Sequence, residues 1–185
     1  QYPYLAKAER IINNVCEFSD WNDEHFLDVA EMTTAVAIGL DWLYNDLKPT
    51  TRELARRKIK EYAFNRTAGQ SFLKNKANWN QVCNGGMIIG ALAMYEKDKA
   101  LAAKMIEQSL KSNKENGYAA YGTTGAYSEG YLYWGYGTTY QVTMMCAMEK
   151  IFGDDAAGLY SHSKGFQQTG EWMLHMLGPS YKAFN

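Results

Sequence analysis

The sequence predicts an all-α protein, an incomplete (α/α) toroid of helical hairpins in which inner and outer helices alternate. Two observations point there. Stretches that are apolar nearly all round alternate with stretches that are apolar on one side, and short connections join them. A four-helix bundle would make every helix amphipathic instead.

The first apolar stretch runs from about Glu24 to Leu47 and carries Phe26, Leu27, Val29, Ala30, Met32, Ala35, Val36, Ile38, Leu40, Trp42 and Leu43, so this helix is expected to be buried. Thr50 or Thr51 can cap the next, to about Asn65, where Arg52, Glu53, Arg56, Arg57, Lys58, Lys60 and Glu61 form a wet face around Leu54, Ile59, Tyr62 and Ala63. The cycle repeats. About Asn80 to Tyr95 is apolar throughout, whereas about Asp98 to Ser112 carries Lys99, Lys104, Glu107 and Lys111. A third cycle pairs an apolar helix over about Gly137 to Phe152 with a mixed one over about Ala156 to Met176. Roughly seven helices are expected. Closed toroids use more than three hairpins, so residues 1–185 read as one toroid domain that belongs to a longer protein. The abrupt start and the ending Tyr181-Lys182-Ala183-Phe184-Asn185 favour that reading.

One connection is long. Asn113 to Gly130 is rich in Gly, Tyr, Thr and Ser, with Tyr118, Tyr121 and Tyr127 spaced through it, and loops of this length are often functional. It is expected at the same end of the toroid as the start of the Asn80 helix.

Composition bounds the function. At 46% hydrophobic and 21% charged, the 185 residues form a chain with a real core. Its 19 Lys+Arg against 20 Asp+Glu lack the basic excess that nucleic acid or an anionic membrane rewards. No apolar run reaches the ~18 residues of a membrane span. Cys16, Cys83 and Cys146 form no CxxC pair and are expected to be buried free thiols. His25, His162 and His175 lack metal-site spacing, so neither metal nor cofactor is expected in this chain.

Two amide- and tyrosine-rich segments carry chemistry. Asn78-Trp79-Asn80-Gln81-Val82-Cys83-Asn84-Gly85-Gly86 and Ser128-Glu129-Gly130-Tyr131-Leu132-Tyr133-Trp134-Gly135-Tyr136-Gly137 each open an apolar helix. Asn amides can bind a sugar carboxylate without charge, a Tyr hydroxyl can pass a proton, and aromatic faces can stack on sugar rings. Asn78 and Asn80 stand equally well as helix caps, and Tyr133, Trp79, Trp134 and Tyr136 as core aromatics. Glu129 could act as a glycosidase acid, paired with Asp41 or Glu31, or could cap the helix it precedes.

These segments, with residues 28–44, Thr169-Gly170-Glu171-Trp172 and Gly178-Pro179, resemble the heparinase II/III family of polysaccharide lyases and its alginate lyase and uronyl epimerase relatives. The resemblance spans nearly the whole chain. It implies a helical toroid followed by a C-terminal β-sandwich part of the same protein, an acidic polysaccharide in the cleft between them, and a periplasmic or secreted location. It also implies that Tyr133, in Glu-Gly-x-x-Tyr, transfers protons, while Asn78 or Asn80 holds the substrate carboxylate. Trp79, Glu129, Tyr136, Trp134 and Tyr127 would line the substrate. Several relatives place a His beside the Asn; here the neighbours are Trp79 and Asn80. A further catalytic His is implied in the β-sandwich part. A lyase of this kind cleaves uronic-acid polysaccharide by β-elimination. The alternatives are a non-catalytic polysaccharide-binding helical module, a uronyl C5-epimerase or a glycoside hydrolase.

Overall fold

The computed structural model describes residues 3–182; the last three residues of the tail lie outside them. The described chain is helical, with no strand among its residues. Its helices are α1 (Pro3–Glu17), α2 (Phe26–Trp42), α3 (Pro49–Lys58), α4 (Asn78–Met94), α5 (Lys99–Asn116), α6 (Gly130–Phe152) and α7 (Lys164–His175). Two compact units divide the chain: Gln1–Gln70 with Gly86–Glu107, and Ser71–Gly85 with Gln108–Asn185.

In the first unit, α1, α2 and α3 pack against one another. Helix α2 buries Phe26, Val29, Ala30, Thr33, Val36, Ala37 and Leu40, a single stripe at helical spacing. The expectation that it is enclosed all round is corrected, since Trp42 at its end is 79% exposed. Gly86 permits a close approach to α2, because a Cβ built there would lie 2.7 Å from the Ala30 carbonyl oxygen.

Helix α3 begins differently from the expected Thr cap. Pro49 takes the first helical position, and the Thr51 hydroxyl donates to Glu9 Oε1 at 3.0 Å, as does the Lys48 N–H. Arg56 is not on the wet face: it is buried, bonded to Glu53 at 2.8 Å, with its guanidinium and that of Arg52 over the Tyr44 ring. After Lys58 the helix widens into a π turn, Ile59–Ala63, and tightens into a 3₁₀ turn, Phe64–Arg66.

The second unit is held by amides as much as by apolar packing. Asn84 Nδ2 donates to Asn80 Oδ1 and Ser112 Oγ, both at 2.9 Å, and Ser112 Oγ donates to the Leu73 carbonyl. Asn113 and Gln141 exchange two hydrogen bonds, at 2.8 and 3.1 Å, and Gln141 also donates to Tyr118. All but Leu73 are buried, where an unpaired amide would cost ~1–3 kcal/mol, so this network specifies how the helices meet.

Helix α6 departs from the expected enclosed inner helix. It buries Gly137, Gln141, Met144 and Met148 as one stripe and exposes Leu132, Val142, Ile151 and Phe152. Helix α7 is shorter than expected. Asp155 and Ala157 adopt positive φ, 46° and 58°, which breaks the chain direction before Ser163 caps α7 through Phe166 N–H. The long connection is also shorter, since α5 runs to Asn116 and a 3₁₀ turn takes up Gly117–Tyr121.

Candidate functional site

The two amide- and tyrosine-rich segments meet in the second unit. Asn78 is the first residue of α4, and Glu129 immediately precedes α6. The Asn78 backbone N–H donates to Glu129 Oε2 at 2.7 Å, and its Nδ2 donates to both carboxylate oxygens at 2.8 Å. The leading N–H groups of a helix lack partners within it and carry partial positive charge, so a carboxylate there is stabilised. Glu129 therefore caps α4, and its side chain makes no cap bond to α6, the helix it precedes.

Tyr133 sits four residues after Glu129 and four before Gly137, a spacing that puts all three on one side of α6. Gly137 is buried there. A Cβ built on it would collide with Gln81 Oε1 and the Tyr127 hydroxyl, and would lie 3.3 Å from Asn78 Cβ. The face that meets α4 at Gly137 thus carries Tyr133 one turn earlier, where it reaches solvent at 51% exposure. Side chains on a helix lean toward its N-terminus, which aims this ring toward the Glu129 end.

The remaining expected residues divide. Asn80, expected to hold a substrate carboxylate, is enclosed: its Nδ2 donates to the Phe72 carbonyl at 2.9 Å and to Ser112 Oγ at 3.1 Å. Asn78 is also enclosed, and its donors face Glu129. Tyr127 is buried, its hydroxyl donates to Gln81 Oε1, and burial pushes its phenol well above the usual range. In this structure the residue expected to contact sugar is part of the core. Tyr118 and Tyr121 are buried beside it and shifted the same way, chiefly by burial.

Trp134 is half-buried and fixed. Its indole N–H donates to Thr169 Oγ1 at 2.8 Å, and that hydroxyl donates to the Gly125 carbonyl at 2.8 Å. The Tyr131 ring stacks beside it at 6.3 Å and Trp172 lies tilted at 6.5 Å. Tyr136 packs edge-to-face on Tyr140 at 5.7 Å, and both it and Trp79 are half-buried.

Gln81 and Gln141, to which the sequence assigns no role, are buried and organise the interior through their amides. Their signal was present as polar residues inside otherwise apolar helices. Cys146 is exposed, which corrects the expectation of three buried thiols; Cys16 and Cys83 are buried. Among the described residues no cluster of three or more His, Cys, Asp or Glu is placed to hold a metal. Glu31 and Asp41 are exposed residues of the first unit, and Glu129 belongs to the second.

Compared with known proteins, the chain matches no family model and no curated sequence.

Proposed function

We propose that this chain is the toroid part of a polysaccharide lyase acting on uronic-acid polysaccharide, with Tyr133 as the proton-transfer residue. The observation that carries the reading is Tyr133 itself, an exposed phenol on the first turn of α6, with its helix tied at Glu129 to the start of α4. An aromatic that served only the core would be covered, as Tyr118, Tyr121 and Tyr127 are. Trp134, next in sequence, is half-buried with its N–H bonded to Thr169 and its ring against Tyr131 and Trp172, a group of the kind that stacks on sugar rings.

In this reading the substrate loses the C5 proton to a base, the C4–O bond breaks, a C4–C5 double bond forms, and the departing oxygen takes a proton. Tyr133 acts as base, as acid, or as both where the two atoms share one face. A phenol of ordinary pKa near ~10 needs cationic or hydrogen-bonding neighbours to act as a base at neutral pH. The resemblance places a His in a β-sandwich part of the same protein, and that part would complete the site. The α/α toroid, the acidic polysaccharide partner and a periplasmic or secreted location belong to the same proposal.

A binding module without turnover is the second reading. It is favoured by the engagement of both Asn78 and Asn80 within the chain. Mass spectrometry of the natural full-length protein with glycosaminoglycans and alginate separates the readings. A lyase yields fragments whose masses sum to that of the substrate, a hydrolase adds one water per cut, and an epimerase or binding module leaves chain length unchanged. Fragments carrying added water, or none at all, contradict the lyase.

A further inference from the structure

We propose that Glu129 is a positioning residue: by holding Asn78 it ties the first turn of α4 to the first turn of α6 and so sets where Tyr133 stands. The inference rests on Tyr133 being the proton-transfer residue. Three observations carry it. Glu129 and Asn78 lie 51 residues apart in sequence, yet one carboxylate receives both the backbone and side-chain N–H groups of Asn78 at 2.7–2.8 Å. Charge-assisted bonds of this kind are about twice as strong as neutral ones. The carboxylate also admits only one orientation of the Asn78 amide, with Nδ2 toward it and Oδ1 away, because an amide oxygen facing it would repel.

Second, the tie is not alone. One turn beyond Tyr133, the bare Cα of Gly137 rests against Gln81, the Tyr127 hydroxyl and Asn78 Cβ. Helix α6 therefore meets α4 four residues before and four residues after Tyr133, and both contacts involve Asn78. The backbone of Tyr133 is held on both sides while its ring reaches solvent. Third, both oxygens of Glu129 already accept hydrogen bonds within the chain, which fits a fixed carboxylate and not a general acid presenting a proton to a glycosidic oxygen.

The test uses Glu129→Ala and Glu129→Gln in the full-length protein, with steady-state kinetics on whichever uronate polysaccharide is cleaved. Positioning predicts a loss in kcat on the order of a hundredfold in Glu129→Ala, the scale of a small misplacement of a reacting group. KM should stay within about twofold, because Glu129 does not hold substrate. Glu129→Gln should fall between, since its amide oxygen can still accept the Asn78 backbone N–H. Raised KM with kcat unchanged, or full activity in Glu129→Ala, overturns the proposal.

Hydrogen exchange gives a readout independent of turnover. In Glu129→Ala, the amides of residues 134–137 and of Asn78 should exchange at least about tenfold faster, while those of residues 144–148 keep the wild-type rate. Unchanged exchange at 134–137 overturns the positioning role even if the wild type proves to be no lyase. Absence of wild-type turnover with the exchange change present instead removes the lyase reading.

Discussion

Gly137 rests against Gln81: a Cβ built on this glycine of α6 would collide with the Gln81 side-chain oxygen at the point where that oxygen accepts the Tyr127 hydroxyl. The contact explains why a glycine stands in the middle of a helix, where it lowers stability by ~1 kcal/mol relative to Ala in isolation. Tertiary packing overrides that preference.

Gly137→Ala should therefore destabilise the protein by about 1–3 kcal/mol despite its better helix propensity, because it overpacks the site and breaks a buried hydrogen bond. Denaturant unfolding checks this. Tyr127→Phe removes one of the colliding atoms, so the double variant should lose less than the sum of the two single losses. Strict additivity would show that the two side chains do not share this space.

Glu9 gives a pH dependence. The Lys48 N–H, followed by the Thr51 hydroxyl and the Lys48 ammonium, holds its carboxyl below the usual range, with burial opposing. A depressed folded-state value means that the stabilisation is complete above the ordinary carboxylate range and is lost as pH falls through the folded value. Glu9→Gln should cost about 0.5–1 kcal/mol at neutral pH, the size of a charge placed at a helix start. The gap between variant and wild type should close in acid. A gap that is constant with pH would contradict the assignment.

Thiol labelling distinguishes the cysteines. Cys146 is exposed, while burial pushes the Cys16 thiol up to about 11 and raises Cys83 further. Because the thiolate is the reactive form, a disulfide-exchange probe at pH 8 should modify Cys146 rapidly and the other two only after denaturation. Rapid native labelling of all three would show that the helices open more readily than their packing implies.

Much of the helical order is legible in the sequence. The 3.6-residue pattern locates α4 and α5 to within a few residues, whereas α2 ends at Trp42, short of the expected Leu47, and α6 starts at Gly130, ahead of the expected Gly137. Apolar content misled where it was read as enclosure. Helix α6 carries Leu132, Val142, Ile151 and Phe152 on faces that its buried stripe of Gly137, Gln141, Met144 and Met148 leaves outside. Asp155 and Ala157 break the final helix through positive φ, a conformation their side chains do not announce.

The candidate site was legible as two segments but not as contacts between them. Their meeting followed from neither period nor spacing, because a hydrogen bond across 51 residues leaves no local trace. Asn80 and Tyr127 carry the same functional groups as site residues, and only burial shows that the interior uses them. Glu129 read equally well as acid, substrate contact or cap, and the partner on α4 is what separates these roles.

The most direct measurement is ultraviolet absorbance of unsaturated uronate product from a panel of acidic polysaccharides, for the natural full-length protein and for Tyr133→Phe. Tyr133 is 51% exposed, so the variant should keep its stability within about 0.5 kcal/mol. A rise on one substrate that disappears in the equally stable variant is the predicted result. No rise on any substrate from folded wild-type protein, or an equal rise from Tyr133→Phe, would contradict it.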